Sequence, residues 1–140
     1  MKMTFLILLL STFASFPQTG RVVGVIDGDT IEMLINEKIV EVMLSGIDAP
    51  EPNQAFGQEA REYLSNLIYG KFVELESEGL DRYGRTIGNL FTTDGVWVNR
   101  FLVINGMAWH YVQYSSNKDL ASAELKAKKM KNGLWKENNP

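Results

Sequence analysis

A chain of 140 residues is long enough for one compact domain and too short for two ordinary ones. Its 45% hydrophobic and 22% charged content excludes a disordered or fibrous chain, and its net charge of −3 lacks the basic excess of proteins that grip nucleic acid by counterion release. With no cysteine there is neither disulfide nor thiolate metal site, and the single histidine, His110, excludes a multi-histidine centre, so any metal must be held by oxygen.

Met1-Lys2-Met3 is a short positive start, and Phe5 to Leu10 is an apolar run continued weakly through Ala14. The run is too short to span a bilayer and reads as a secretory signal peptide over residues 1–14, with Thr12 and Ala14 as the small residues before the cut. A buried first strand or helix and an uncleaved anchor are the competing readings. The expectation is a mature chain from near Ser15, secreted or periplasmic, forming a single domain over 15–140. Loss of Lys2 would leave 13 basic against 17 acidic residues, a net charge of −4.

Val22 to Ile26 predicts a buried strand, Asp27-Gly28-Asp29 a tight turn, and Thr30 to Ile35 a second strand. Asn36-Glu37-Lys38 turns the chain into a third strand over Ile39 to Leu44, so these three form an antiparallel meander. Gly46 to Gln54, with Pro50 and Pro52, reads as a loop. Phe56 to Ile68 has helical spacing, with Ala60, Tyr63, Leu64 and Leu67 on one face and Gly70 as the stop. Lys71 to Glu76 alternates as a half-buried strand, Asp81 to Gly84 turns, and Thr86 to Phe91 returns. Val98 to Ile104 predicts a short helix and Leu120 to Met130 a last amphipathic one, whose lysines 126, 128, 129 and 131 form a solvated cationic end. Five short strands with a helix between the third and fourth predict an α+β, mainly β, five-stranded Greek-key barrel of the OB type with about three helices.

Three fragments carry chemistry. Asp29 and Asp48, with a loop carbonyl and water, suit Ca2+ better than a soft metal. Glu51, three residues after Asp48 and stiffened by Pro50, is placed to deprotonate a water for attack on phosphorus. Arg85 leaves the Tyr83-Gly84 turn and offers a bidentate contact to phosphate. Singly each fragment is commonplace: a hairpin turn, the start of a loop, a turn with an ion pair. Their joint occurrence in this order is not.

The fragments Val25-Ile26-Asp27-Gly28-Asp29-Thr30, Gly46-Ile47-Asp48-Ala49-Pro50-Glu51, Phe56-Gly57-Gln58-Glu59-Ala60 and Asp81-Arg82-Tyr83-Gly84-Arg85 resemble the staphylococcal nuclease family. So do Val98-Asn99 through Gly106-Met107-Ala108 and Gly133-Leu134-Trp135, so the resemblance runs from about Arg21 to Trp135. It implies a Ca2+-dependent nuclease cutting phosphodiester bonds of DNA and RNA with little sequence preference. A monomer that prefers single strands, with no obligate protein partner and no stable membrane association after signal cleavage, is the accompanying expectation. The resemblance implies Asp29, Asp48 and the Ala49 carbonyl as metal ligands, Glu51 as general base and Arg85 as a catalytic arginine. Tyr83 and Arg82 would lie near substrate phosphate and sugar, and Tyr111 and Tyr114 fall near where the family places tyrosines able to stack on bases. Trp97 and Trp135 are expected in the core, and His110 is expected to be structural.

One position departs from the pattern. The family carries a second arginine five residues before the second aspartate, in a Val-Arg-Leu strand; here the strand reads Val42-Met43-Leu44. Losing one charged hydrogen bond costs about 1.5–3 kcal/mol, or roughly ten- to hundred-fold in rate. An arginine supplying transition-state charge in other phosphoryl transfers is worth about 10³–10⁵. Met43 therefore keeps a second reading open, a catalytically inactive module that binds nucleic acid or protein.

Overall fold

The computed structural model describes residues 16–137, so the apolar start and its expected cleavage after Ala14 lie outside the described residues. β1 (Gln18–Asp27), β2 (Thr30–Ile35) and β3 (Lys38–Leu44) form the antiparallel meander. β4 (Ile47–Asp48) follows, then α1 (Gly57–Ile68), β5 (Phe72–Leu80) and β6 (Thr86–Thr92). α2 (Val98–Ile104), β7 (Trp109–His110), α3 (Lys118–Met130) and a 3-10 turn (Gly133–Lys136) complete the chain. The strands close as β1-β2-β3-β6-β5, with β5 returning antiparallel to β1 and only β3–β6 parallel. This is the expected mainly β, OB-type barrel with three α-helices.

β1 does not alternate as a regular strand. Its register to β2 shifts between Val22 and Gly24 and again between Val25 and Asp27. Bulges of this kind turn the strand about its axis, which is how Val22 and Val25, three apart, both point inward while Ile26 is 41% exposed. Inside, Val22, Ile31, Met33, Val42, Val73, Leu75 and Leu90 belong to one apolar cluster with Leu64, Ile68, Leu102 and Leu120 of the helices. Trp97 packs at the edge of this core and donates its indole N–H to Asn89 Oδ1 at 3.1 Å. Trp135 is half-buried, with Lys128 Nζ 4.6 Å from its ring centroid.

Each helix is placed by a local device. α1 buries Gly57, Ala60, Leu64 and Ile68 on one stripe, and Arg61 Nε donates to the Val25 carbonyl at 3.0 Å, fixing the helix to β1. In α2, the fully buried Asn99 accepts from Leu90 N and donates to the Ser45 and Gly88 carbonyls, so one amide joins three segments. α3 begins at Lys118, two residues earlier than its apolar spacing predicts, because the Asn117 side chain accepts from the amides of Asp119 and Leu120. Among the described residues no helix is long and apolar enough to cross a membrane.

Candidate active site

The β1–β2 turn carries Asp29 into the protein. The side chain is 9% exposed. Its Oδ1 accepts from Thr30 Oγ1 at 2.9 Å and its Oδ2 from the Ala49 amide at 2.8 Å, while its carbonyl accepts from Leu44 N. The Ala49 peptide is thereby held beside Asp29. Gly28 permits this approach, since a Cβ there would stand 2.8 Å from Ala49 Cβ and 2.9 Å from Ala60 Cβ. Asp48 arrives from another direction. β4 pairs with β7 and not with β2, so Asp48 faces Trp109 across a two-stranded ribbon where a plain loop was expected.

Three carboxylates crowd this end of the barrel. Burial, followed by a contact with the Asp27 carboxyl and its charge, pushes Asp29 up to about 8. Burial and the charge of Asp27 raise Asp48 as well. The two aspartates singled out by sequence are thus joined by a third, Asp27, whose place in an Asp-Gly-Asp turn was the available signal. Among the described residues no set of three or more His, Cys, Asp or Glu side chains is gathered closely enough to hold a metal alone. A cation here would take two carboxylates, with backbone carbonyl and water completing its shell. That donor set, all oxygen, suits a hard divalent ion such as Ca2+ better than a soft one.

Glu51 is exposed, and its carboxylate has no hydrogen-bond partner among the described residues. Its backbone, by contrast, is clasped. Glu51 N donates to Gln54 Oε1 at 2.8 Å, and Gln54 N donates to the Glu51 carbonyl at 2.9 Å. Gly57 at the start of α1 lies so close that a Cβ there would stand 1.7 Å from the Glu51 carbonyl oxygen. Gln54 and Gly57 therefore fix where the Glu51 carboxylate starts from. Nothing in the sequence pattern marks Gln54 for this role.

Arg85 forms a second group at the β5–β6 turn. Its Nε donates to Asp81 Oδ2 at 2.7 Å, its amide donates to Asp81 Oδ1, and its Nη1 lies 4.0 Å from Glu41 Oε1. The Asp81 hydrogen bond, foremost, holds the guanidinium more firmly protonated. Partial desolvation works to raise Asp81, but bonds from the Arg85 amide, the guanidinium and the Tyr83 amide outweigh it and lower it. Tyr83 is 69% exposed, with Arg82 Cζ 4.9 Å and Arg85 Cζ 5.4 Å from its ring centroid.

Met43 lies on β3 between the two groups. In register it faces Thr30, next to Asp29, on one side and Ile87, two residues past Arg85, on the other. Tyr111 and Tyr114 stack edge to face, 4.8 Å apart, with the Tyr111 amide bonded to the Gly46 carbonyl. This ties Tyr111 to the segment leading to Asp48. Tyr114 instead borders a separate polar cleft of about 340 Å³ with Ser45, Glu78 and Trp97. His110 is 7% exposed; its amide donates to Glu124 Oε2 and its Nε2 lies 3.0 Å from Ser115 Oγ, a structural placement.

Comparison with known proteins follows the same lines. Residues 41–137 match the family model described as Staphylococcal nuclease homologue. An "Uncharacterized endonuclease" of Escherichia coli O157:H7 is 41% identical over 121 residues, covering 86% of this chain and 79% of that protein. A "Micrococcal nuclease" of Shigella flexneri is 36% identical over 143 residues, covering 95% and 82%. An "Uncharacterized endonuclease" of Haemophilus influenzae is 41% identical over 133 residues, covering 94% and 74%.

Proposed function

Because the chain belongs to the staphylococcal nuclease family, we propose that it is a Ca2+-dependent nuclease, hydrolysing phosphodiester bonds of DNA and RNA with little sequence preference, exported through its N-terminal segment and slowed by Met43. The observation that carries this reading is the seam at β3, with oxygen donors around Asp29 on one side and the tethered Arg85 guanidinium on the other. Relatives named endonuclease and micrococcal nuclease support the same chemistry.

Asp29, Asp48 and the Ala49 carbonyl would hold the ion, which supplies Lewis acidity toward a phosphoryl oxygen when bound. Glu51 takes the proton of the attacking water as the water oxygen bonds to phosphorus, and the opposite phosphorus–oxygen bond breaks, its oxygen leaving as an alcohol after taking a proton from solvent water. Arg85, its Nε committed to Asp81, presents its Nη groups to the charge that grows on the phosphoryl oxygens. Tyr83 flanks the sugar, with Arg82 beside it, and Tyr111 and Tyr114 offer stacking faces for single-stranded substrate. The enzyme acts as a monomer with no obligate protein partner. Lys2 and the apolar run Phe5 to Leu10 support export to a secreted or periplasmic location.

Met43 favours a second reading, an inactive module that binds nucleic acid or protein on the barrel. The discriminating assay is cleavage of single-stranded DNA by purified protein with Ca2+ and with a chelator, at neutral to alkaline pH. Ca2+-stimulated cleavage is expected. Binding without turnover would favour the second reading.

A further inference from the structure

A cleft of about 480 Å³ opens beside the candidate base, between the Glu51 loop and the C-terminal 3-10 turn. Its walls are Pro50, Phe56, Trp109 and Leu134, and Gln54 and Lys136 supply polar groups. Two of these residues are coupled directly to the site. Pro50 is the residue between Ala49 and Glu51, and Trp109 is the register partner of Asp48. Gln54 spends its Oε1 on the Glu51 amide, while its Nε2 donates no hydrogen bond among the described residues.

We propose that this cleft is a nucleobase subsite that takes a base flanking the scissile phosphate. The proposal rests on the nuclease reading. Aromatic side chains offer a sequence-tolerant stacking surface to any base. An amide N–H answers an acceptor, either a ring nitrogen or a carbonyl, of which every base carries at least one, and an exposed Lys136 at the rim answers a neighbouring phosphate. Glu137, also on the rim, reduces that local charge, so stacking and not ion pairing supplies most of the grip. The position explains how a chain of net charge −3 can hold a polyanion: part of the contact is made to bases. Tyr83 lies at the β5–β6 turn and the cleft beside the start of α1, so aromatic surfaces stand on two different elements.

The test fills the cleft from an exposed position. Ala55 lies on its rim, outside the groups that handle the phosphate, and Ala55→Trp places an indole in the space a base would use. In folded Ala55→Trp, KM for a single-stranded oligonucleotide should rise about 5- to 100-fold with kcat little changed. Hydrolysis of an abasic oligonucleotide of the same length, which has no ring to stack, should stay at the wild-type rate. Lys136→Ala should raise the oligonucleotide KM by a smaller factor. Calorimetry with a mononucleotide in chelator should give binding to wild type that Ala55→Trp loses, an arm independent of catalysis. A wild-type protein that cleaves neither substrate would sink the nuclease reading and leave this arm to decide the cleft. Unchanged oligonucleotide KM and unchanged mononucleotide affinity in both variants would overturn the subsite, as would a KM rise equal for both substrates.

Discussion

Asp29 and Arg85 are held in opposite ways. Asp29 is 9% exposed and receives hydrogen bonds from Thr30 and Ala49, so the barrel and the following loop fix it before any ligand arrives. Arg85 keeps 32% of its side chain exposed, and the two groups that hold it, Asp81 and Glu41, are anions. The acidic side has its geometry in hand; on the basic side the Arg85 guanidinium is already shared with carboxylates, and Arg82 stands beside Tyr83. On the proposed nuclease reading, the site is short of positive charge. The missing charge falls at position 43, the point in the sheet where the two sides meet.

The largest expected effect comes from removing Arg85, the guanidinium tethered by Asp81. Arg85→Ala should lower kcat/KM by about 10³-fold or more, at the scale of arginines that stabilise phosphoryl transfer. A loss of only a few-fold, read from initial rates on single-stranded DNA, would mean that the basic side does not touch the transition state. Next comes Glu51→Gln, expected to cost about 10²–10⁴-fold in kcat with the Ca2+ affinity retained. Isothermal titration alongside kinetics separates the two quantities.

The loop that carries Glu51 gives a smaller effect of another kind. Gly57→Ala drives a Cβ into the Glu51 carbonyl, so the loop must move. Overpacking of this size costs about 1–3 kcal/mol, measurable by thermal or urea denaturation. Activity should fall as well, because the base is displaced. An effect on stability alone is the pH dependence set by Asp29. Its carboxyl is raised from 3.8 to about 8 in the folded chain, so the folded state holds this proton more tightly than the unfolded state. Stability without Ca2+ should therefore fall as pH rises between those two values and level off above about 8. Ca2+ should reverse the fall by binding the ionised form. Denaturation midpoints in chelator that rise through that window would contradict the assignment.

Much of this contrast was legible in the sequence. Asp29, Asp48, Glu51 and Arg85 sit in fragments that are commonplace singly and are marked by their joint order and the family resemblance, while the five strands follow from alternation and glycine punctuation. The pairing of Asp48 with Trp109 was not legible, because two-residue strands have no period to detect. Nor was the double bulge in β1, which depends on what β2 presents across the ladder. The clasp of Glu51 by Gln54 and Gly57 is a matter of backbone approach, and a glutamine in a loop leaves no pattern of its own. Asp27 was visible as a turn residue, but its effect on Asp29 and Asp48 arises only once burial removes the water between them.

The central claim is that the site is built for phosphodiester hydrolysis and short of one positive charge at Met43. Its most direct test is the paired rate of Ca2+-dependent cleavage by the wild-type chain and by Met43→Arg, with Ca2+ affinity measured on both. A gain of about ten- to hundred-fold or more in kcat/KM is expected at unchanged Ca2+ affinity. A folded, Ca2+-binding Met43→Arg protein that cuts no faster than wild type would contradict it.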